Sequence, residues 1–410
     1  MHQFIKGARL KKYFLDLKIV LLIYFITISI ASVHKYLLPA TLERGVVYTK
    51  FNNFLIFKSS FYHLLQNKDL YVPHLADHYD LYKYSPTFAF LMFSFAWLPD
   101  LPGVLIWNLL NGLLLFFAIK ALPQLQDKIK VFILWFILFE LITSVQNFQS
   151  NGLMAALLIL GFVAVENKKE MWATLFLVIS VYIKLFGLVG FVFFFFSENK
   201  KKFILFSVIW FILLGLLPLV VISPEFLLQL YKSWFRLLMT DRGVSYGLSI
   251  LGVLKSWFHV VSFKIPITIL GAVILLLPLF RFHFYGNYNY RLLFLSSLLI
   301  WVVIFNHKAE SPTYIIAVCG VAIWYFTQKS TTINTILLIF IFVLTCLSST
   351  EIYPHDFQRQ FLRPLALKAV PCILVWFKII YELTMNKFTP TFPERKDHGF
   401  LNENASFKIR

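Results

Sequence analysis

The stretch HKYLLPATLERGVVYTKFNNFLIFKSSFYHLLQNKDLYVPHLADHYDLYKYS (His34–Ser85) separates the first two apolar segments of the chain. It carries carboxylates, histidines, lysines and a run of tyrosines, whereas the segments on both sides are apolar. Ionisable groups kept beside hydrocarbon are costly and usually functional. We therefore expect residues 34–85 to form a first outer loop that covers a site at a membrane surface.

The composition indicates a membrane protein. The chain has 410 residues, of which 59% are hydrophobic and only 14% are charged, whereas soluble domains are about one quarter charged. Long apolar runs recur from Lys18 to Lys387, which predicts an all-α, polytopic bundle of roughly 11–13 transmembrane helices. We expect residues 1–387 to form one domain, followed by a polar cytoplasmic tail over 388–410.

The net charge of +18 does not indicate a nucleic-acid partner, because the basic residues cluster at helix ends, as in KGARLKK, ENKKE, ENKKK and ERK. This is the pattern of cytoplasmic loops. We expect a multi-pass protein of the inner (plasma) membrane with a cytoplasmic N-terminus, and with Ile19–Val33 as a retained anchor. The cysteines lie in apolar runs, so neither a disulfide framework nor metal spacing is predicted: Cys319, Cys346 and Cys372.

Two features of the topology leave alternatives open. Phe51–Gln66 has apolar residues at helical spacing, which predicts an amphipathic helix, either lying in the membrane interface or packed on the bundle. The first loop is expected on the outer side and ENKKE on the cytoplasmic side, so an odd number of crossings is needed between them. Either Pro86–Leu98 or Val131–Thr143 is therefore expected not to span. A second outer polar region is expected over residues 223–264.

Polar clusters converge on one predicted face. The first outer loop, Ser144–Asn151 with Lys184, the region around Asp241 and the knot Asn306–Pro312 all fall on the outer side. Polar groups at helix ends are often merely solvated. Their convergence on one face favours a site.

Lys184 and the knot offer specific chemistry. Lys184 lies in the apolar run SVYIKLFGLVGF, where it either snorkels towards water or supplies a point charge to a phosphate. His307 and Glu310 flank Lys308 in the knot. They form either an ordinary short loop or a group for hydrogen bonding and proton transfer. The tyrosines of DLYKYSP form either an interface belt or a sugar-stacking platform.

Four segments carry a resemblance to a known family. LLQNKDLYVPH, YDLYKYSPTFAFLMFSFAWLPD, QSNGLMAALLILGF and VYIKLFGL, within residues 50–190, resemble glycosyltransferase family 87, the bacterial mannosyltransferase-like membrane enzymes of the GT-C fold. The resemblance implies a cell-envelope hexosyltransferase that moves a mannose-like sugar from a polyprenyl-phosphate donor to a lipid or glycolipid acceptor. It further implies inversion at the anomeric centre, transfer on the non-cytoplasmic face, a carboxylate base in the first outer loop, and no cofactor.

The chain departs from that pattern in KFNNFLIFK, where Asn52 and Asn53 stand in place of the usual aspartate. An amide cannot take a proton from a hydroxyl. Either another outer carboxylate serves, in which case Glu310 beside His307 is favoured, or the protein is not an ordinary member of the family. The predicted catalytic residues are Glu310, His307 and Asp80, with Glu43 and Asp241 as further candidate bases.

The remaining candidates would bind substrate, and no metal site is expected. Cations are predicted to hold the phosphate of the leaving group. The predicted substrate-binding residues are Asn52, Asn53, Lys83, Tyr84, Gln149, Asn151, Lys184, Asp241 and Arg242. A transporter or flippase for a lipid-linked glycan would share such a cavity without needing a base, and a non-catalytic subunit of a glycan-building complex is a further alternative.

Overall fold

A computed structural model describes residues 14–43, 45–240, 245–385 and 387, and the predicted tail over 388–410 lies outside them. The described part is mostly helical, as predicted. Its α-helices are α1 Leu17–Leu37, α2 Asn52–Leu65, α3 Pro86–Leu91, α4 Phe93–Ala96, α5 Asp100–Lys120, α6 Asp127–Gln146, α7 Asn151–Glu166, α8 Glu170–Ile183, α9 Lys200–Leu216, α10 Pro224–Thr240, α11 Ile250–Phe258, α12 Lys264–Leu276, α13 Tyr288–Ile304, α14 Tyr314–Thr327, α15 Thr332–Ile341, α16 His355–Phe357 and α17 Val370–Met385.

Shorter elements complete the described chain. The strands β1 Thr41–Glu43 and β2 Val46–Tyr48 pair antiparallel in the first outer loop. The remaining helical turns are of the 3₁₀ or π type: Leu185–Phe196, Leu217–Val220, Leu277–Phe280, Phe282–Phe284, Ser311–Thr313, Phe342–Cys346, Gln358–Leu362 and Leu367–Ala369.

Four described helical segments are long and apolar enough to cross a bilayer, namely α1, α5, α6 and Lys200–Val220. A fifth is added if the bent pair His355–Leu362 and Leu367–Met385 counts as one span. The predicted 11–13 crossings require the shorter apolar helices of 10–17 residues to span as well, and that number stays a prediction. Val131–Thr143 lies inside α6, whereas Pro86–Leu98 forms only the short helices α3 and α4. The structure therefore favours Pro86–Leu98 as the segment that does not span.

The helix predicted over Phe51–Gln66 is confirmed as α2, and it packs on the bundle. The ring of Phe57 is buried and meets the Trp107 ring of α5 edge-on, with centroids 5.5 Å apart. Lys58 donates to the Asp100 carboxylate at 2.7 Å. These contacts hold the first outer loop against the first turns of α5, which decides between the two alternatives for this helix.

The core lies along α13 and α14, which pack against each other and are buried over most of their length. The outer helix α9 is the reverse case. Its apolar side chains are more than half exposed, as at Ile204, Leu205 and Ile212. Contact with lipid tails explains such a surface, because hydrocarbon does not penalise exposed apolar groups.

Ion pairs define one end of the bundle. Arg291, at the start of α13, donates to both carboxylate oxygens of Glu166, at the end of α7, over 2.6 and 2.7 Å. Lys168 lies 3.0 Å from the Glu198 carboxylate. The loops containing ENKKE and ENKKK therefore share one end. Asn151, at the start of α7, lies at the opposite end, about 24 Å away along a 16-residue helix.

Candidate functional site

Four of the predicted site residues form a continuous hydrogen-bonded chain at the end of the bundle that carries Asn151. Gln149 Nε2 donates to Glu310 Oε2 over 2.8 Å. Asn151 Nδ2 donates to Gln149 Oε1 over 2.7 Å, and Lys184 Nζ donates to Asn151 Oδ1 over 2.6 Å. We call Glu310, Gln149, Asn151 and Lys184 the polar bridge. It joins an exposed carboxylate to a half-buried ammonium through two amides.

Breaks between helices supply the residues of the polar bridge. Phe148 adopts φ +51°, a left-handed conformation that ends the polar turn between α6 and α7. Its carbonyl accepts a hydrogen bond from Trp107 Nε1 at 3.0 Å. Lys184 is extended, with φ −144° and ψ 126°, in the break between α8 and Leu185–Phe196. Gln149, which follows Phe148, and Lys184 both lie outside α-helices, so their side chains are not confined to a helix surface.

The ammonium of Lys184 lies among aromatic rings. Its Nζ is 5.9 Å from the centroid of Tyr84 and 5.9 Å from that of Phe186, within the range of cation–π attraction. Burial lowers the pKa of the Lys184 ammonium to about 8, and the Glu310 carboxylate opposes that fall. Lys184 and Tyr84 therefore lie on the same side of the protein, as the sequence-based topology places them.

Three candidate carboxylates lie within electrostatic reach of one tyrosine. Burial raises the pKa of the Tyr48 phenol, and Glu43, Asp80 and Glu310 each add to the rise. Asp80 is exposed, and its Oδ1 accepts a hydrogen bond from the Leu81 amide at 3.0 Å. The β1–β2 ribbon, the DLYKYSP segment and the knot therefore bring their acids to one region.

Asn52 and Asn53, which the sequence analysis compares with an expected aspartate, have structural contacts. Asn53 Nδ2 donates to the Asn147 carbonyl over 2.9 Å, so α2 is tied to the polar turn before Gln149. Asn52 is buried, and its Oδ1 accepts from the Tyr79 amide over 2.9 Å. An aspartate at position 53 would put two acceptor oxygens against each other.

The knot is held by the second outer polar region. Gly247, at φ +57°, passes so close to the carbonyl of His307 that an added Cβ would lie 2.8 Å from that oxygen. Leu248 donates its amide to the Ala309 carbonyl over 2.7 Å. Only glycine fits this left-handed and crowded position.

The other predicted residues are less closely associated with the polar bridge. His307 is half-buried three residues after the end of α13. Lys83 is exposed, and its carbonyl accepts from Trp234 Nε1 over 3.1 Å. Asp241 and Arg242 lie outside the described residues.

An ion pair that sequence reasoning missed contacts Ser311, the residue after Glu310. Lys368 Nζ donates to Glu140 Oε1 over 2.8 Å and to Ser311 Oγ over 2.7 Å. Glu140 is completely buried and Lys368 is 3% exposed. Glu140 interrupts the apolar run VFILWFILFELITSV, and an isolated acid inside a membrane helix is a signal that could have identified it.

We expect Lys368→Met to lower the free energy of unfolding by about 3 kcal/mol, because it leaves the Glu140 carboxylate buried without its cation. Thermal unfolding of the detergent-purified protein measures this effect. Lys168→Met, which removes a cation from the exposed pair with Glu198, should cost less than about 1 kcal/mol. The double variant Glu140→Gln/Lys368→Met should recover most of the loss. If it is as unstable as Lys368→Met, the pair is not the cause.

A second feature that the sequence reasoning missed is α10, an amphipathic helix inside the second outer polar region. An open cavity of about 590 Å³ runs along it, lined by Tyr231, Lys232, Phe235, Arg236 and Met239. The helix is fixed to the DLYKYSP segment, since Trp234 Nε1 donates to the Lys83 carbonyl over 3.1 Å. The cavity therefore combines cations with apolar walls next to the first outer loop.

A family model described as Glycosyltransferase family 87 matches residues 82–305, which is more than half of the 410-residue chain. The matched range contains Tyr84, Gln149, Asn151 and Lys184. It begins after the two asparagines of α2 and ends before Glu310. A comparison with curated proteins found no match. Because the match covers more than half of the chain, the chain belongs to glycosyltransferase family 87.

Proposed function

We propose that the protein is an inverting hexosyltransferase that transfers a mannose-like sugar from a polyprenyl phosphate to a lipid or glycolipid acceptor. The observation that carries the proposal is the polar bridge, in which a carboxylate and an ammonium are linked at one end of the bundle. Acid–base chemistry on an acceptor and charge stabilisation on a leaving phosphate need these two groups.

In the proposed reaction, the Glu310 carboxylate takes the proton of the acceptor hydroxyl as its oxygen attacks the anomeric carbon. The bond between that carbon and the phosphate oxygen breaks on the opposite side, which inverts the centre. The electron pair leaves with the polyprenyl phosphate, and the proton ends on Glu310. Lys184 stabilises the charge that develops on the phosphate, while Gln149 and Asn151 hold both groups in place.

The α10 cavity supports a lipid-linked donor. Lys232 and Arg236 are exposed cations on a helix whose other face is apolar, the arrangement of a helix that lies in a membrane interface. Such a surface suits a phosphate carried on a long hydrocarbon chain. We further propose a GT-C-like arrangement in the inner membrane, with a cytoplasmic N-terminus and the polar bridge on the non-cytoplasmic side.

Transfer of radiolabelled mannose from mannosyl polyprenyl phosphate, in membranes containing the protein, tests the proposal. We expect label in a lipid or glycolipid product, with the anomeric configuration inverted relative to the donor. Membranes without the protein are the control. Movement of the labelled donor across the bilayer with no product would contradict the proposal and support a transporter. If neither a labelled product nor movement of the donor is found, the transferase proposal is also contradicted, and the alternative of a non-catalytic subunit is supported.

The rate of transfer is expected to fall as pH rises through about 8, since the Lys184 ammonium then loses its proton. An arginine keeps its charge throughout this range. The variant Lys184→Arg should therefore move the alkaline limb of the kcat/KM profile to higher pH, even if its rate at neutral pH is lower. An unchanged alkaline limb would show that another group titrates there.

A further inference from the structure

We propose that the first outer loop contains a zinc site formed by His63, His74 and Asp77. One ligand atom from each of these residues lies within 4.8 Å of the other two. Two imidazoles and a carboxylate are a donor set that Zn²⁺ takes in proteins. The site is separate from the polar bridge and shares no residue with it.

The geometry of the three side chains is close to that of a metal-bound set. His63 Nε2 lies 2.8 Å from Asp77 Oδ2. Two ligand atoms on tetrahedral zinc are about 3.3 Å apart, given metal–ligand bonds of 2.0–2.1 Å. This pair would separate by about half an ångström to admit the ion, and the His74 ligand atom, which lies within 4.8 Å of the other two, would move in to the same spacing. The rings of His63 and His74 are stacked, with centroids 3.8 Å apart, so one ring has to turn before the in-plane lone pairs of both point at one ion.

The residues behind the ligands fix their orientation. His74 Nε2 lies 2.8 Å from the Asp69 carbonyl. Because a carbonyl only accepts, Nε2 carries the proton there, and Nδ1 is left with the lone pair that a metal needs. Asp69 is itself held, since its Oδ2 accepts from Ser233 Oγ of α10 over 2.9 Å. Metal-ligating histidines commonly have such a partner.

His78 is an independent observation that points to a ligand. Its side chain is 3% exposed, and in the described part of the chain neither ring nitrogen has a hydrogen-bond partner of standard geometry, although the Asp80 backbone is near enough to interact with the ring. The ring centroid lies 5.9 Å from that of His63 and 6.1 Å from that of His74. Burial of an imidazole without hydrogen bonds is costly. A rotation of its side chain towards the ion would supply a fourth ligand and satisfy one nitrogen.

With His78 as a fourth ligand the set would have three nitrogens and one oxygen, which favours zinc in a closed tetrahedral site. The ion would join the last turn of α2, through His63, to the segment 74–78. Through Asp69, the same segment is connected to α10. Zinc would therefore fasten the loop that covers the polar bridge, without taking part in proton or sugar transfer.

The test uses the full-length protein in detergent, with any polyhistidine tag removed. After treatment with a chelator, the protein is titrated with Zn²⁺ and its bound zinc is measured by elemental mass spectrometry. We expect about one zinc per chain, and zinc should slow proteolysis within residues 66–85. His74→Ala and Asp77→Asn, both at solvent-accessible positions, should each weaken zinc binding by at least about tenfold.

Matched controls are His283→Ala and Asp356→Asn, which change exposed residues outside the first outer loop. Both should bind zinc as the wild type does. The proposal is overturned if wild type binds no more zinc than the double variant His74→Ala/Asp77→Asn, or if both single variants keep full affinity. The elution volume on gel filtration shows whether each variant is folded. Zinc uptake is measured without any sugar transfer. The zinc proposal can therefore be tested even if the transferase proposal fails.

Discussion

Glu310→Gln is expected to lower the rate of sugar transfer by about two to four orders of magnitude, the usual loss when a general base is removed. The substitution keeps an amide oxygen that can still accept the hydrogen bond from Gln149 Nε2. The polar bridge should therefore stay assembled, and only the capacity to take a proton should be lost. Initial rates with a labelled donor, at saturating acceptor, measure this loss.

The matched control for Glu310→Gln is Glu198→Gln, since Glu198 is an exposed carboxylate at the opposite end of the bundle. It should retain wild-type transfer. Asn53→Ala, which removes a single hydrogen bond to the Asn147 carbonyl, should cost much less than Glu310→Gln.

Two other outcomes would assign the general base to a different carboxylate or contradict the transferase proposal. If Glu310→Gln is active and Asp80→Asn is dead, the base is Asp80, which also lies within electrostatic reach of Tyr48. Asp241→Asn tests a carboxylate outside the described residues. If all three variants transfer sugar at the wild-type rate, the transferase proposal is wrong and the transporter alternative should be pursued.

The sequence was most informative where polar residues interrupt apolar runs. Gln149, Asn151, Lys184 and Glu310 each lie at such a break, and a membrane helix bundle has few places for a polar group other than helix ends and cavities. Placing the breaks on one face therefore brought together residues that are far apart in the chain. The pairing itself, such as Gln149 with Glu310, 161 positions apart, was not readable from the sequence.

Three features were not predicted, for different physical reasons. Lys368 and Glu140 are 228 positions apart, and nothing local to either residue indicates its partner. The helix α10 lies in a stretch rich in polar and aromatic residues. We interpreted that stretch as an outer polar region and did not examine it for helical periodicity. The histidines of the first outer loop have no regular metal-ligand spacing. Only the fold of residues 63–78 brings them together.

Lys184→Ala is expected to lower transfer by about three orders of magnitude while the protein remains folded in the membrane. Removing one preorganised donor to a developing negative charge commonly costs about 10²–10³ in rate. Here the donor is a full charge in a half-buried setting, where attraction to a phosphate is stronger than in water. The variant also removes the hydrogen bond to Asn151 Oδ1. Asn151→Ala should therefore show the smaller, positional part of the effect.

Lys200→Ala is the matched control, because Lys200 is also close to an aromatic ring, 5.8 Å from Phe194, but lies at the start of α9, at the opposite end of the bundle. It should keep wild-type transfer. Lys184→Arg should keep part of the activity, since a guanidinium carries the charge but fits the same space less well. Wild-type turnover in Lys184→Ala would show that this lysine only reaches towards the aqueous surface. The phosphate would then have to be held by other cations, of which Lys232 and Arg236 of α10 are the next to test.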